Sequence, residues 1–386
     1  MLCIKNGKIF TVAEKEPFVG DILIDGTKIV EIGQNLAAKA DQVVDATGKN
    51  VYPGLIDCHS HLGLDGYGIR FEGKDYNEVT DSLTPHLDAI DAFNPQDVTV
   101  KMAAMGGVTT VGTGPGSSNV LGGAFIAVKT TGDRVDDMIL KRNIAMKCAF
   151  GENPKFCYKD KDNSSRMSVA GKLRMMFNKT IEYKNKLEAA GDDVSKRPAY
   201  DHKLEALIPV IKGEMPLKAH AHRADDIFTA LRVAKEFNLK ITLEHVTEGH
   251  LIVDHLVKEN VPLAVGPSLG HASKVEIKEK SFKTPGILAK AGCQVSITTD
   301  APVIPQQHLN LCAQMAVKAG MDKYDALKAI TINPAKHLGV SDRVGSLEVG
   351  KDADVIITDG CILDNNTNVL HTYINGVEVC REGATV

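Results

Sequence analysis

The chain has no run of about 18 uninterrupted apolar residues, so no membrane-spanning helix is expected. Its start, Met1 to Gly20, lacks the long apolar core of a secretory leader and is interrupted by Lys5 and Lys8. It has no CxxC pair. The eight cysteines stand at 3, 58, 148, 157, 293, 312, 361 and 380, a scatter that suits neither a zinc ribbon nor a disulfide framework. Free thiols in a reducing cytoplasm are the expectation. No basic block occurs and the formal net charge is −4, which argues against nucleic acid or an anionic membrane as main partner. Gly112, Gly114, Gly116, Gly122 and Gly123 lack the spacing of a P-loop or a dinucleotide fingerprint, so phosphate binding is not indicated. These absences leave the class of partner open, and they are compatible with a homo-oligomer.

What is present is a large soluble-type core. Apolar residues make up 43% and charged residues 24% of 386 residues, enough for one (β/α)₈ barrel of about 250 residues and a small second domain. Both ends are β-rich. Ile4-Lys5-Asn6-Gly7-Lys8-Ile9 and Ile374-Asn375-Gly376-Val377 each read as two short strands around an Asn-Gly hairpin turn. Further strands follow at Asp21–Val30 and Asp354–Gly360. The middle differs. From Pro53 to about Leu338, short apolar strands alternate with helical patterns, the signature of a parallel sheet with crossover helices. The strands read as Gly54–Cys58, Val108–Gly112, Ala124–Lys129, Ile144–Phe150, Leu217–His220, Ile241–His245, Pro262–Val265 and Gln294–Thr299. Ile227, Leu231 and Ala234 recur at helical spacing, Thr284 stands as a helix cap before Pro285, and Ser168 to Ala190 reads as a long helix. The expected fold class is therefore α/β: a (β/α)₈ TIM barrel over 54–338, with a small β-sandwich domain built from 1–53 and 339–386.

The chemistry concentrates at strand ends. In His59-Ser60-His61 the residues i and i+2 point to one side, so two imidazoles can grip one ion. His220, His245 and Asp300 each end a later strand. In a (β/α)₈ barrel all such ends face one mouth. Imidazole and carboxylate together suit zinc and its neighbours, manganese and iron included. His222 lies two residues past His220 and is a candidate for the same cavity, Arg223 is a candidate grip for a substrate carboxylate, and His271 and Lys274 lie in the loop after the seventh strand.

These motifs resemble a known family. Val51-Tyr52-Pro53-Gly54-Leu55-Ile56-Asp57-Cys58-His59-Ser60-His61, Thr298-Thr299-Asp300-Ala301-Pro302 and Thr331-Ile332-Asn333-Pro334-Ala335 resemble the amidohydrolase superfamily. Gly151-Glu152-Asn153-Pro154-Lys155, with His220-Ala221-His222-Arg223, resembles its imidazolonepropionase-related, prolidase-like branch. The resemblance implies one or two divalent ions, most simply zinc, activating water against a C–N bond, with Asp300 as general base. It also implies an anion between two ions, either a glutamate or a carbamylated lysine. Glu152 lies at its strand end and Lys147 deeper on the same strand. Glu152 is favoured, because a carbamate needs an extra reaction with CO₂. A deaminase is the competing enzyme reading, but Ala221-His222-Arg223-Ala224 offers no glutamate after the fifth-strand histidine, where mononuclear deaminases of that superfamily carry one. A catalytically dead scaffold is the third reading, and such scaffolds lose ligands that are all present here.

Overall fold

The computed structural model describes residues 1–381; residues 382–386, the end of the expected C-terminal β segment, lie outside the described residues. Five strands come first: β1 (Leu2–Ile9), β2 (Phe18–Asp25), β3 (Lys28–Gly33), β4 (Gln42–Asp45) and β5 (Asn50–Pro53). Eight follow: β6 (Leu55–Ser60), β7 (Val108–Thr113), β8 (Leu121–Lys129), β9 (Ile139–Ala149), β10 (Leu217–Ala221), β11 (Ile241–His245), β12 (Leu263–Val265) and β13 (Val295–Ile297). The chain closes with β14 (Val355–Thr358), β15 (Val369–Ile374) and β16 (Val377–Arg381).

Strands from both ends share one sheet, in the order β16-β15-β14-β5-β1-β2-β3, with β4 also on β1. The join is antiparallel, Val355 facing Pro53 and Thr358 facing Asn50. Pairing is continuous, where a sandwich of two separate sheets was expected. Ile29 of β3 and Tyr373 of β15 nevertheless sit in one buried cluster with Ile4, Val51 and Val355, so the sheet curls over its own core. The two Asn-Gly pairs behave differently. Asn375 and Gly376, with φ of +51° and +76°, make the β15–β16 hairpin expected of them. Asn6-Gly7 is a bulge within β1, whose pairing with β2 resumes on the far side as Gly7 opposite Gly20. Asp21 Oδ1 accepts the Asn6 N–H at 2.8 Å, and the bulge divides β1 so that β4 pairs its first half and β5 its second.

The middle strands form a second, nearly closed eight-stranded sheet, a TIM-like barrel, in strict chain order from β6 to β13. Its strands are parallel except β8, which runs antiparallel to both β7 and β9. Connection length explains the reversal. Residues 114–120 and 130–138 join β8 to its neighbours, and parallel pairing needs a crossover of about a dozen residues or more. The helices match their apolar periodicity. Ala224–Glu236 buries Ile227, Leu231 and Ala234. The long helix runs Arg166–Ala190, and Ser165 caps it by accepting the Ser168 N–H. Thr284 is the first residue of its helix and Lys283 takes the cap position, without a side-chain bond. Among the described residues no helix is long and apolar enough to cross a membrane.

Side chains fasten the seam between β13 and β6. The buried Asp57 carboxylate accepts the Thr298 hydroxyl at 2.7 Å, the Thr299 N–H and hydroxyl at 2.9 and 2.7 Å, the Gln306 amide at 2.8 Å and the His59 N–H at 3.0 Å. His61 N–H reaches the Ala301 carbonyl at 2.8 Å. One aspartate thus ties the first strand, with its two histidines, to the last strand and Asp300.

Candidate active site

The parallel strands bring their C-terminal ends to one mouth, and the histidines expected there are buried there. His59 Nε2 stands 3.6 Å and His61 Nε2 3.3 Å from Asp300 Oδ1. Ligand atoms of His59, His245 and Asp300 lie within 4.8 Å of one another, and so do those of His220, His222 and His245. The two groups share His245. His245 and Asp300 hold φ of +74° and +52°, strained for residues with side chains. Such strain persists where the surroundings over-determine it, commonly at functional sites.

The hydrogen bonds set the tautomers. His61 Nδ1 meets the Gly114 carbonyl at 2.7 Å and His245 Nδ1 meets the Gly266 carbonyl at 2.8 Å. A carbonyl only accepts, so each Nδ1 carries the proton, and each Nε2 is the nitrogen turned to the mouth. Burial pushes His59, His220 and His222 well below the ordinary histidine range and His245 down to about 4, so these rings are neutral near pH 7. Burial also opposes ionisation of Asp300, but the His245, His61 and His59 rings outweigh it and hold its carboxyl low. Neutral imidazole and ionised carboxylate are the forms that bind a cation.

Whether these residues suit a metal is tested by His220. Both its ring nitrogens are buried and neither has a hydrogen-bond partner among the described residues. A buried polar atom left unpaired costs about 1–3 kcal/mol. A cation bound by a lone pair there would remove that cost, and the nitrogen–oxygen donor set suits zinc, manganese or iron. The residues fit a divalent ion.

Two expected residues lie elsewhere. The chain turns at Gly151, φ +86°, and Glu152 begins a new helix, Glu152–Cys157. Its backbone N–H donates to Glu276 Oε2 at 2.8 Å and its own carboxylate accepts the Glu276 N–H at 3.2 Å. It lines a neighbouring cavity and is absent from both ligand groups. Lys147, fully buried on β9, stands there instead, with Nζ 3.1 Å from His59 Nε2. Arg223 is half-exposed, clasps Asp225 at 2.9 and 2.8 Å, and lines that same neighbouring cavity. His222 does reach the site, held by the Thr247 hydroxyl at 2.7 Å.

Glu276 was not legible in the sequence. Only 1% exposed, it extends from the loop after β12, with Oε1 3.5 Å from His220 Nε2, 3.7 Å from His222 Nε2 and 2.5 Å from Lys274 Nζ. No periodic pattern marks a loop acid as buried. Above the ligands opens a cavity of about 490 Å³, bordered by His61, His220, His222, Asp300, Lys274 and Lys280.

Gly266 supports this floor. Its φ is +140°, and a Cβ there would lie 2.3 Å from the Thr298 carbonyl oxygen. Gly266→Ala is expected to destabilise the protein by about 1–3 kcal/mol. An unchanged midpoint in urea denaturation would contradict the close approach.

Known proteins are similar to this chain in sequence and fold. An amidohydrolase from Thermotoga maritima MSB8 is 40% identical, with a TM-score of 0.96 over 99% of this chain and 100% of that one. The amidohydrolase tasK of Hapsidospora irregularis is 27% identical over 93% of this chain, which spans only 40% of that relative's length. An imidazolonepropionase of Rhizobium meliloti is 24% identical over 88% of this chain and 84% of its own. The model of the amidohydrolase family matches residues 50–379. The chain belongs to the amidohydrolase family.

Proposed function

We propose that the chain hydrolyses an amide-type C–N bond of a small molecule: a cyclic amide, an N-acyl amino acid or a dipeptide. His59, His61, His220, His245 and Asp300 would hold one or two divalent cations, zinc first. The observation that carries this reading is their convergence at one mouth around the unpartnered nitrogens of His220. A bound divalent cation would bring the pKa of water toward 7 and polarise the scissile carbonyl. Asp300, ionised and facing His59 and His61, accepts the proton of the attacking water at its carboxylate and returns it to the leaving nitrogen. The fold supports the reading as a (β/α)₈-type barrel over 54–338, with a β unit drawn from 1–53 and the C-terminal segment.

Lys147 is the residue geometry favours as the anion between two cations. Burial brings its ammonium down to about 8, so neutral amine is available near neutral pH. Neutral amine adding to CO₂ would form one N–C bond and release one proton, leaving a carbamate that could serve as the anionic ligand.

The cavity also supports an anionic substrate group. Lys274 is matched by Glu276, whereas the Lys280 ammonium meets only the His271 carbonyl, at 3.4 Å, among the described residues. Lys280→Met is expected to raise KM roughly 10-fold for an N-acyl amino acid, and to leave KM for the corresponding uncharged amide unchanged. Equal effects on both would remove Lys280 from substrate recognition. The reading as a whole is tested by screening N-acyl amino acids, dipeptides and cyclic amides with zinc, manganese and iron supplied in turn. Turnover of none, with ammonia released from aminated bases instead, would make the chain a deaminase.

A further inference from the structure

Beneath the ligands lies a buried charged cluster that the proposed chemistry leaves unused. Lys218 and Glu244 point into the barrel from β10 and β11 and are 1% and 0% exposed. Lys218 Nζ donates to Glu244 Oε2 at 2.9 Å, the Thr242 hydroxyl donates to Glu244 Oε1 at 2.7 Å, and His337 Nε2 stands 3.1 Å from that same oxygen. Fully buried charges are costly even when paired, and an apolar pair of similar volume is often no less stable. The cluster therefore calls for a reason beyond stability.

His59 supplies one. Its Nε2 faces Lys147 Nζ at 3.1 Å. On its other side the ring faces the Glu244 carboxylate, which only accepts, so Nδ1 carries the proton and Nε2 the lone pair. That Nδ1 is buried, and Glu244 Oε2 lies 3.2 Å from it, somewhat off the ideal hydrogen-bond line. No other acceptor meets it among the described residues. The plane of the ring is set separately, by stacking on Phe125 at 5.5 Å between centroids and 19° between planes. His61 and His245 take their tautomer from backbone carbonyls, Gly114 and Gly266. For His59 the corresponding partner is a side chain, and side chains can be exchanged.

We infer that Glu244 is a positioning residue: held by Lys218 and Thr242, it accepts the Nδ1 proton of His59 and so presents the bare Nε2 to the mouth of the barrel. The part of this inference that concerns metal affinity rests on the proposed metal site; the tautomer does not. A carboxylate behind a ligating histidine fixes its tautomer and raises its basicity, and losing such a partner commonly costs about 10- to 100-fold in metal affinity.

Glu244 alone cannot be removed cleanly, because Lys218 would be left buried and unpaired. The test uses the Lys218→Met background. Three proteins are compared after chelator treatment: Lys218→Met, Lys218→Met with Glu244→Met, and Lys218→Met with Glu244→Gln. Thermal unfolding checks the fold. Nitrogen-15 NMR of labelled histidines, assigned with His59→Asn, reads the tautomer in metal-free protein, and zinc alone is titrated against a chromogenic chelator. His59 is expected to be protonated at Nδ1 in the single variant, to become a mixture of tautomers with methionine at 244, and to return to the Nδ1 form with glutamine, which keeps an acceptor oxygen. Zinc affinity should fall at least 10-fold and recover in parallel. An unchanged His59 tautomer with methionine at 244 overturns the inference, and so does unchanged zinc affinity in a protein that binds zinc. If the tautomer shifts as described but the unsubstituted protein takes up no zinc, the positioning stands and the metal site fails.

Discussion

Asp300→Asn is expected to lower kcat by about 10²- to 10⁴-fold while the protein stays folded. The substitution keeps the size and shape of the side chain and removes its capacity to take up a proton. The carboxylate is also one of the proposed metal ligands, so metal content is measured beside turnover, but the local backbone does not depend on it. The Asp300 backbone N–H is held by the Thr298 hydroxyl at 3.3 Å and its carbonyl accepts the Val303 N–H at 2.9 Å, neither of which the change touches. Asparagine also tolerates the left-handed conformation, φ +52°, that this position adopts. The loss should therefore appear in kcat and kcat/KM together, with an unshifted unfolding temperature. Wild-type turnover in this variant would remove Asp300 as the general base.

Lys147→Met and Glu152→Gln should separate completely. Lys147→Met removes the group standing 3.1 Å from His59 Nε2, and the bound metal should fall from two ions toward one per chain. Its fold should survive, because a buried ammonium whose charged form is already disfavoured is replaced by an apolar chain of similar length. Glu152→Gln should keep its metal, since that carboxylate serves the Glu276 backbone in the next cavity. Both variants are read by elemental analysis after purification in identical buffers. Metal lost from the Glu152 variant and retained by the Lys147 variant would restore Glu152 as the bridge.

Lys147 was passed over because a carbamate needs an extra reaction with CO₂, and its depth on the strand did not favour it. Sequence spacing suggests that a ligand should lie at its strand end. The register pairs Ala149 with His220 and Lys147 with Lys218, so Lys147 is two residues below His220, about 7 Å along the strand. A lysine side chain is long enough to climb that distance. Glu152, three residues beyond Ala149, is past the turn at Gly151, and nothing in the local sequence tells how sharply that turn leaves the barrel axis.

The strand-end histidines and Asp300 were legible because each follows a short apolar run, and parallel strands leave little choice about where their ends go. The direction of β8 was not legible. All nine of its residues are buried, so hydropathy gives it no polarity and only the short connections 114–120 and 130–138 betray the reversal. Asn6-Gly7 misled for a related reason. A left-handed Asn before a glycine serves a hairpin or a bulge equally well, and the choice is made by β2, which continues to pair past it. Glu276 and Lys280 escaped notice as pocket residues because loop burial depends on what the loop folds over.

The most direct measurement is the metal stoichiometry of the purified protein, with His220→Ala beside it. One or two divalent ions per chain are expected, most simply zinc, with a clear drop in the variant because neither buried nitrogen of His220 has a hydrogen-bond partner among the described residues, Glu276 Oε1 standing 3.5 Å from Nε2. Only trace metal in the unsubstituted protein after incubation with zinc, or full occupancy and affinity in His220→Ala, would contradict the account.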